Sequence, residues 1–327
     1  MTSLWVVAEP GPDGGIARVS AEAATLIREL AAQAKGDVIG IVIGADPAAA
    51  AGELADYLPV VWAITDPAAA EHVWSSVAAT HVAKLLSTET PDVIFVGAGA
   101  DGRDLAGAVS ALTGLGVLVN ATGVTWTDGG PAIEMSVFGG KLLTKSGFTA
   151  GRGIVTVRPN VTTAATAASK GTVEPRTSAP AGQPGLPAVR VVERVSEAGA
   201  QAPIEEARII VAGGRGVGGP EGFGIVEQLA EALGGAVGAT RAAVDSGWIP
   251  YSQQIGQTGK IVKPELYFAL GISGAIQHKV GMRTSGSIIA VNRDPDAPIA
   301  DFADLFVVGD LFAVGEALLE QLRARSA

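Results

Sequence analysis

The sequence predicts an α/β protein with two α/β units in series. Short apolar segments of the strand type alternate with segments whose apolar residues recur at helical spacing, as in mostly parallel sheets covered by helices. Glycine-rich or Asp-Pro turns separate many of these segments. A length of 327 residues, of which 48% are hydrophobic, also favours two domains with sizeable cores.

The first unit opens with alternating strands and helices. The predicted strands are residues 4–8, 37–43, 60–64 and 92–96, and the predicted helices are residues 21–34, 77–86 and 102–112. Asp46-Pro47 and Asp66-Pro67 indicate two further helix starts, with Asp as the N-cap and Pro at the first helical position. This alternation predicts a mostly parallel sheet.

A strand-rich stretch and a linker complete the first unit. Strand-like segments at residues 116–124, 132–138, 141–145 and 154–157 follow one another without helices, so we expect an antiparallel extension of the sheet. Residues 161–187 are rich in Thr, Ala, Ser, Gly and Pro and predict a long connection without its own core. We therefore expect an N-terminal domain with extension and linker at residues 1–190.

A second domain is expected at residues 205–327, where the alternation returns. Its predicted elements are strands at 208–211, 266–270, 288–291 and 305–308, a glycine-rich loop at 213–219, and helices at 223–233 and 311–322. This pattern again predicts a parallel sheet with helices on its faces.

Composition excludes several classes of function. The absence of cysteine rules out disulfides, thiolate metal sites and cysteine nucleophiles, and His72, His81 and His278 are too dispersed for a metal site. A net charge of −10 without a basic stripe argues against nucleic-acid binding. The apolar runs are shorter than the ~18–20 residues of a membrane span, and the N-terminus lacks a signal-peptide pattern. We expect no direct membrane insertion and a cytoplasmic location.

Five turns marked by glycine or Asx residues indicate a ligand site in the second unit. They lie at residues 213–219, 238–247, 255–260, 271–278 and 289–295. In an open α/β sheet, turns that follow the strands converge at the carboxyl edge, where ligands bind. Together they predict a large nucleotide, although each turn alone is a weak signal.

The first turn has both a functional and a structural interpretation. Gly214, Gly216 and Gly219 match the dinucleotide spacing G-x-G-x-x-G, but the same glycines fit a turn that binds no ligand. Arg215 favours the functional interpretation, because a guanidinium in a glycine loop can contact a pyrophosphate with two hydrogen bonds.

The other turns carry similar alternatives. Arg241 fits a salt bridge with Asp245, or a cation beside an electron-rich ring or a phosphate. Lys260 lacks the following Ser or Thr of a Walker motif, which excludes a Walker ATPase. His278 fits a structural histidine or a cofactor contact, and Asn292 fits turn chemistry or recognition of an adenine or ribose edge.

The motifs in these turns carry a family resemblance. They are GGRG at 213–216, RAAVDSGW at 241–248, GQTGKIVKPELYFALGISGAIQH at 256–278 and NRDPDAPI at 292–299. This part closely resembles the C-terminal FAD domain of electron-transfer flavoprotein alpha subunits, and the rest of the chain is similar more loosely. The resemblance implies an N-terminal flavoprotein-like α/β domain, followed by a C-terminal Rossmann-like parallel-sheet domain that binds one FAD.

The resemblance also implies roles for matching residues. Arg215 is expected at the pyrophosphate, Arg241 against the isoalloxazine, Thr258 near flavin N5, and His278 near O2. Arg241 and His278 would stabilise negative charge at N1 and O2. The implied cofactor-binding residues are Arg215, Thr240, Arg241, Ile255, Gly256, Gln257, Thr258, Ser273, Gly274, Ala275, Ile276, Gln277, His278, Asn292 and Asp310.

Asn292 and Asp310 complete the implied site, and two positions depart from the family pattern. Asn292 and Asp310 are expected at the adenosine half of FAD. Thr240 stands where the family usually has Ser, and its hydroxyl could serve in the same way. The Gly218-Gly219-Pro220 sequence departs from the commoner lysine-containing version, a change that is expected to alter the phosphate contacts of that loop.

The function that the resemblance implies is electron carriage and not substrate turnover. Such alpha subunits form a heterodimer with a beta subunit, which in most members binds AMP. The heterodimer accepts electrons from acyl-CoA and related dehydrogenases, as in fatty acid β-oxidation, and delivers them to a membrane quinone oxidoreductase.

Three alternatives stay open at this point. One is an electron-bifurcating member whose beta subunit oxidises NADH with a second flavin. Another is an NAD-dependent dehydrogenase built on the G-x-G-x-x-G loop, although the other four turns would then go unexplained. A third is a cofactor-free assembly subunit with purely structural glycine turns.

Overall fold

A computed structural model describes residues 2–11, 14–127, 130–137, 142–177, 189–193 and 204–326. The described residues divide into two compact units, one before residue 194 and one from residue 204 onward. Each unit is an α/β structure with its own sheet, so the α/β fold class is confirmed. Among the described residues, no helix is long and apolar enough to cross a membrane.

The N-terminal unit is built on one mixed sheet. Its strands are β1 (Ser3–Val7), β2 (Asp37–Gly44), β3 (Val60–Thr65), β4 (Val93–Gly97), β5 (Val117–Thr127), β6 (Gly130–Val137), β7 (Leu142–Ser146), β8 (Gly153–Val157) and β9 (Thr172–Pro175). Its helices are α1 (Arg18–Ala34), α2 (Ala48–Leu54), α3 (Ala68–Glu71), α4 (Trp74–Leu85) and α5 (Ala100–Thr113). The described strands follow the order β7-β6-β5-β8-β4-β1-β2-β3-β9.

Helices cover both faces of this sheet. Its central strands therefore carry apolar side chains on both faces. Leu4 and Val6 of β1 pack with α1 and α2, whereas Trp5 and Val7 pack with α4 and α5. All four side chains are buried, as expected for a parallel strand between two helical layers.

The structure corrects three predictions for this unit. The antiparallel extension comprises β5, β6 and β7, whereas β8 lies between β4 and β5 and runs parallel to both. The predicted linker contains β9, an exposed four-residue strand that pairs with β3 at the sheet edge. The helices after Asp46 and Asp66 begin at Ala48 and Ala68, one residue later than predicted, although each aspartate carboxylate accepts the N–H two residues on, as an N-cap residue does.

The C-terminal unit contains a fully parallel sheet. Its strands are β10 (Ile209–Gly213), β11 (Ala236–Thr240), β12 (Gln254–Ile255), β13 (Leu266–Leu270), β14 (Ser287–Asn292) and β15 (Leu305–Val308). Its helices are α6 (Phe223–Ala232), α7 (Arg241–Asp245), α8 (Ile276–Met282) and α9 (Leu311–Ser326). The order of the described strands is β12-β11-β10-β13-β14-β15, and every pair is parallel.

Helices α6 and α9 cover one face of this sheet, and α8 contributes to the core on the other face. Strands β11 and β12 and helix α7 were not predicted from the sequence. The sequence of β11 is AVGAT, which lacks the bulky β-branched or aromatic residues of a typical strand. Strand β12 has two residues and α7 has five, too few for a periodic pattern.

Candidate functional site

All the turns that were predicted to bind a ligand lie at one edge of the C-terminal sheet. They follow the carboxyl ends of β10, β11, β12, β13 and β14, and Asp310 follows β15. From β10 the chain adds β11 and β12 on one side, and it then adds β13, β14 and β15 on the other. This reversal creates a crevice between the ends of β10 and β13, the usual place for a ligand in an open α/β sheet.

The glycines of the first turn join two neighbouring strands. The N–H of Gly214 donates to Leu270 O at 2.9 Å, and the N–H of Gly216 donates to Gly271 O at 3.0 Å. A Cβ atom on Gly216 would lie 2.6 Å from the Gly271 Cα, so a side chain does not fit there. The amides of Gly214 and Gly216 therefore bind the end of β13 and the turn that follows it.

Arg215 lies between these two glycines in a short 3-10 turn, Arg215–Val217. Its side chain is exposed, and within the described part of the chain it has no ion-pair or hydrogen-bond partner. At the carboxyl edge of the sheet, this turn therefore offers a ligand the guanidinium of Arg215 and not the amides of Gly214 and Gly216.

The predicted segments 255–258 and 273–278 lie against each other. The N–H of Gln257 donates to Gln277 O at 2.8 Å, and the N–H of Gly256 donates to Lys260 O at 3.0 Å. Gly256 has a φ of 146°, which few residues with a side chain adopt, and a Cβ there would meet Gln277 O at 3.0 Å. Glycine is thus required where this loop turns next to α8.

Two residues outside the predicted set hold Thr258. Gln254 is buried, and its Nε2 donates to Thr258 Oγ1 at 3.2 Å. The Tyr251 hydroxyl donates to Thr258 O at 2.7 Å. Because Oγ1 accepts the amide hydrogen, the hydroxyl hydrogen of the exposed Thr258 is left to donate to another group. Gln254 lies in the two-residue strand β12, so no periodic pattern in the sequence identifies it.

His278 is a buried, neutral histidine. Its Nδ1 lies 3.0 Å from Ile255 O, and its Nε2 lies 2.9 Å from the Tyr267 hydroxyl. A carbonyl can only accept, so Nδ1 carries the hydrogen and Nε2 accepts from Tyr267. Burial lowers the pKa of His278 from its ordinary 6.5 to about 4.

Protein contacts of His278 bear on the role expected of it. Both ring nitrogens are bound to protein groups, and a neutral ring supplies no positive charge to a flavin. The side chain instead links α8 to the end of β12 through Ile255 O and to β13 through Tyr267, so it positions the loop that carries Thr258.

Arg241 is exposed and forms a salt bridge within α7. Its Nε lies 3.1 Å from Asp245 Oδ2, and the two side chains are 65% and 61% exposed. The structural alternative of a salt bridge is therefore present. A surface pair of this kind is weak, so a ligand at the sheet edge can compete for the guanidinium.

Thr240 ends β11 with a hydroxyl that lacks a protein partner. Its Oγ1 is buried and forms no hydrogen bond to the residues that the structure describes, and Gln253 Oε1 is in the same state. Buried polar atoms are normally satisfied, so each of these two oxygens needs an explanation. A bound polar ligand is one that fits the position of Thr240 at the carboxyl edge.

Asn292 and Asp310 both take part in local turn chemistry. Asn292 Nδ2 donates to Ile272 O at 3.0 Å, and its Oδ1 accepts the N–H of Asp294 at 3.0 Å. Asp310 Oδ1 accepts the N–H groups of Phe312 and Ala313, which caps the first turn of α9. The turn alternative for Asn292 is thus observed, and its side-chain amide links the ends of β13 and β14.

The segment 273–277 forms an exposed rim beside the crevice. Ser273, Ala275, Ile276 and Gln277 are exposed, and Ile276 has 76% of its surface accessible. Gly274 has a φ of 87° and packs on Ile299, which fixes the turn before α8.

Comparison with known proteins decides the family. A model described as the electron transfer flavoprotein domain matches residues 4–181, and one described as the electron transfer flavoprotein FAD-binding domain matches residues 203–283. The chain belongs to the electron transfer flavoprotein alpha-subunit family.

The full-length relatives support this assignment. The electron transfer flavoprotein subunit alpha of Mycobacterium tuberculosis is 41% identical over 329 residues, which cover 99% of each chain. That of Bacillus subtilis is 37% identical over 95% of this chain and 94% of the relative. The mitochondrial subunit alpha of Arabidopsis thaliana is 54% identical over 133 residues, 41% of this chain and 37% of the relative.

The residues present fit the FAD that this family's C-terminal domain binds. The buried Thr240 oxygen lacks a partner, Arg215 is exposed without a counter-charge, and Thr258 keeps a hydrogen to donate. The cofactor-free alternative is therefore discarded. The dehydrogenase alternative also loses its basis, because the Gly214 and Gly216 amides of the G-x-G-x-x-G turn are bound to the end of β13 and the turn that follows it.

Proposed function

We propose that the chain carries one FAD along the carboxyl edge of its C-terminal sheet and passes electrons between protein partners. The observation that supports this most directly is the buried Thr240 Oγ1 without a partner, at the same edge as the other four ligand-type turns. When bound, FAD supplies reversible redox chemistry in one-electron and two-electron steps.

The protein residues would bind and tune the cofactor. Arg215 is positioned to contact a pyrophosphate with a planar guanidinium, which forms two hydrogen bonds to such groups. Arg241 would place a positive charge beside the ring system and favour its reduced, negatively charged state. Thr258 would donate a hydrogen bond to N5, oriented by the amide of Gln254.

The roles of Asn292, Asp310 and His278 are proposed in modified form. Asn292 would act through its fixed orientation between β13 and β14, and Asp310 through the carboxylate oxygen that does not cap α9. His278 would act by positioning β12 and not by contacting flavin O2. The exposed rim 273–277 would cover one side of the cofactor.

We further propose a heterodimer with a beta subunit that binds AMP. Acyl-CoA-type dehydrogenases would be the electron donors and a membrane quinone oxidoreductase the acceptor, which places the chain in fatty acid β-oxidation. These partners follow from the family and are supported by the nearly full-length similarity to alpha subunits. The cytoplasmic location stays a prediction.

Co-production of the chain with a beta subunit tests this proposal. We expect a yellow complex with one FAD per alpha chain, released FAD identified by chromatography, and flavin reduction by an acyl-CoA dehydrogenase with its substrate. A colourless complex, or one that is reduced by NADH and not by the dehydrogenase, would refute the proposed carrier function. The second result would instead support the bifurcating alternative.

A further inference from the structure

The N-terminal unit contains a second G-x-G-x-x-G sequence that the proposed function does not use. Gly97, Gly99 and Gly102 have this spacing, and they join the end of β4 to the start of α5. A strand, this spacing and a helix start form the usual cradle for the phosphates of a nucleotide.

This cradle also lies at the reversal point of its sheet. Strand β1 has β2 on one side and β4 on the other, and the chain fills the β2 side first. The carboxyl ends of β1 and β4 therefore border the crevice where an open α/β sheet binds ligands. By position and by sequence, the N-terminal unit has the features of a phosphate site.

The carboxylate of Glu9 occupies this cradle. Glu9 follows β1 and is only 4% exposed. A Cβ atom added to Gly97, Gly99 or Gly102 would collide with a Glu9 carboxylate oxygen, so all three glycines leave room for the same side chain. The main chain of Glu9 is held as well, since its N–H donates to Ser20 Oγ at 2.8 Å and its carbonyl accepts from Ala17.

The helix start beside this carboxylate favours an anion. The N-terminus of α5, a helix of 14 residues, carries the positive end of the helix dipole and stabilises a nearby anion. The carboxylate and a phosphate would need the same space, and their like charges repel. A cavity of about 380 Å³ is lined by Glu9 together with Asp46 and Asp101.

We propose that Glu9 is an internal anion that fills the phosphate cradle of the N-terminal unit and excludes phosphate ligands from it. The unit thus keeps the architecture of a nucleotide site while a side chain of its own replaces the ligand. The consequence for the whole chain is that nucleotide binding is restricted to the C-terminal unit.

The test uses the full chain, co-produced with a beta subunit and loaded with FAD, and the variants Glu9→Ala and Glu53→Ala. Glu53 is a matched control, because its carboxylate accepts the Ile16 N–H at 2.9 Å in the same unit but does not contact the cradle. Binding of radiolabelled inorganic phosphate is measured by equilibrium dialysis at constant ionic strength. Thermal unfolding is recorded in phosphate, formate and chloride.

We expect Glu9→Ala to bind one more phosphate per chain than the wild type or Glu53→Ala. At a phosphate concentration ten times the dissociation constant, its unfolding equilibrium should shift about elevenfold toward the folded state relative to chloride. Rescue by formate but not by phosphate would overturn the exclusion of phosphate. No added binding and no rescue by either anion would overturn the whole proposal.

A second variant covers the case in which Glu9→Ala fails to fold in chloride. Glu9→Gln keeps the shape of the side chain and removes its charge, so it should fold and bind no extra phosphate. Its amides in the first turn of α5 should exchange hydrogen several-fold faster than those of the wild type. Unchanged exchange would contradict a role of the Glu9 charge at this helix start.

Discussion

The neutral state of His278 gives a sharp prediction about pH. Its pKa is about 4 in the folded chain because the ring is buried, whereas an unfolded histidine has a pKa of about 6.5. Between these two values the unfolded state binds a proton that the folded state does not. The contribution of the neutral His278 to the free energy of unfolding is therefore complete above about pH 6.5 and is lost progressively as the pH falls toward 4.

The size of the effect follows from the two pKa values. Lowering the pH from about 7.5 to 5 should cost about 2 kcal/mol of unfolding free energy through His278 alone. A His278→Gln variant should lack this part of the pH dependence, because glutamine stays neutral and its amide can still meet Ile255 O and the Tyr267 hydroxyl.

Urea unfolding monitored by flavin fluorescence measures this difference in the C-terminal unit. The urea midpoint of the wild type should fall by roughly 1 M more than that of His278→Gln between the two pH values. His72→Gln is the matched control, because His72 lies in the N-terminal unit, and it should behave as the wild type does. Equal losses in wild type and His278→Gln would refute a buried, neutral His278.

Three further variants test other parts of the site. Arg241→Ala should lower the first one-electron midpoint potential by about 40 mV in a spectroscopic redox titration, a small shift because the charge is largely exposed. Arg241→Lys keeps the positive charge and should keep this potential. Thr258→Val should lower the same midpoint potential by roughly 20–60 mV, and Gln254→Leu should lower it by less. Equal midpoint potentials in Thr258→Val and the wild type would exclude a hydrogen bond from Thr258 to the flavin. Gly271→Ala should lower the free energy of unfolding, measured in urea, by about 1–3 kcal/mol. The reason is that Gly271 has a φ of 63° and that a Cβ atom there would lie 2.7 Å from the Gly216 Cα. An unchanged urea midpoint would show that the two turns do not need this close contact.

The elements with strong periodic patterns were predictable from sequence. Strands such as β1, β4 and β13 are apolar throughout, and helices such as α1 and α9 repeat apolar residues at helical spacing. Strands β9, β11 and β12 were not predicted, because they are short and carry Gly, Ala or polar residues. The place of β8 between β4 and β5 depends on long-range pairing that no local pattern records.

The position of the candidate site was predictable, but the state of its side chains was not. The five turns do lie at one sheet edge, as the rule for parallel strands requires. In contrast, the binding of the Gly214 and Gly216 amides to the turn after β13, and the contacts of both His278 nitrogens, arise from residues distant in sequence. The exposure of Arg241 likewise depends on how α7 packs.

The two G-x-G-x-x-G sequences show why spacing alone does not identify a phosphate site. In the C-terminal unit, Gly214 and Gly216 allow two backbone turns to approach each other. In the N-terminal unit, Gly97 and its neighbours leave room for the Glu9 carboxylate. The same spacing serves close backbone packing in one unit and an internal anion in the other.

The central claim, that FAD lies at the carboxyl edge of the C-terminal sheet, is tested most directly at Thr240. Thr240→Val removes a buried oxygen without a protein partner, so the cofactor-free chain should be as stable as the wild type or more stable. FAD binding, measured by quenching of flavin fluorescence, should weaken roughly fivefold through loss of one hydrogen bond of about 1 kcal/mol. An unchanged FAD dissociation constant in a variant of equal or higher stability would contradict the claim.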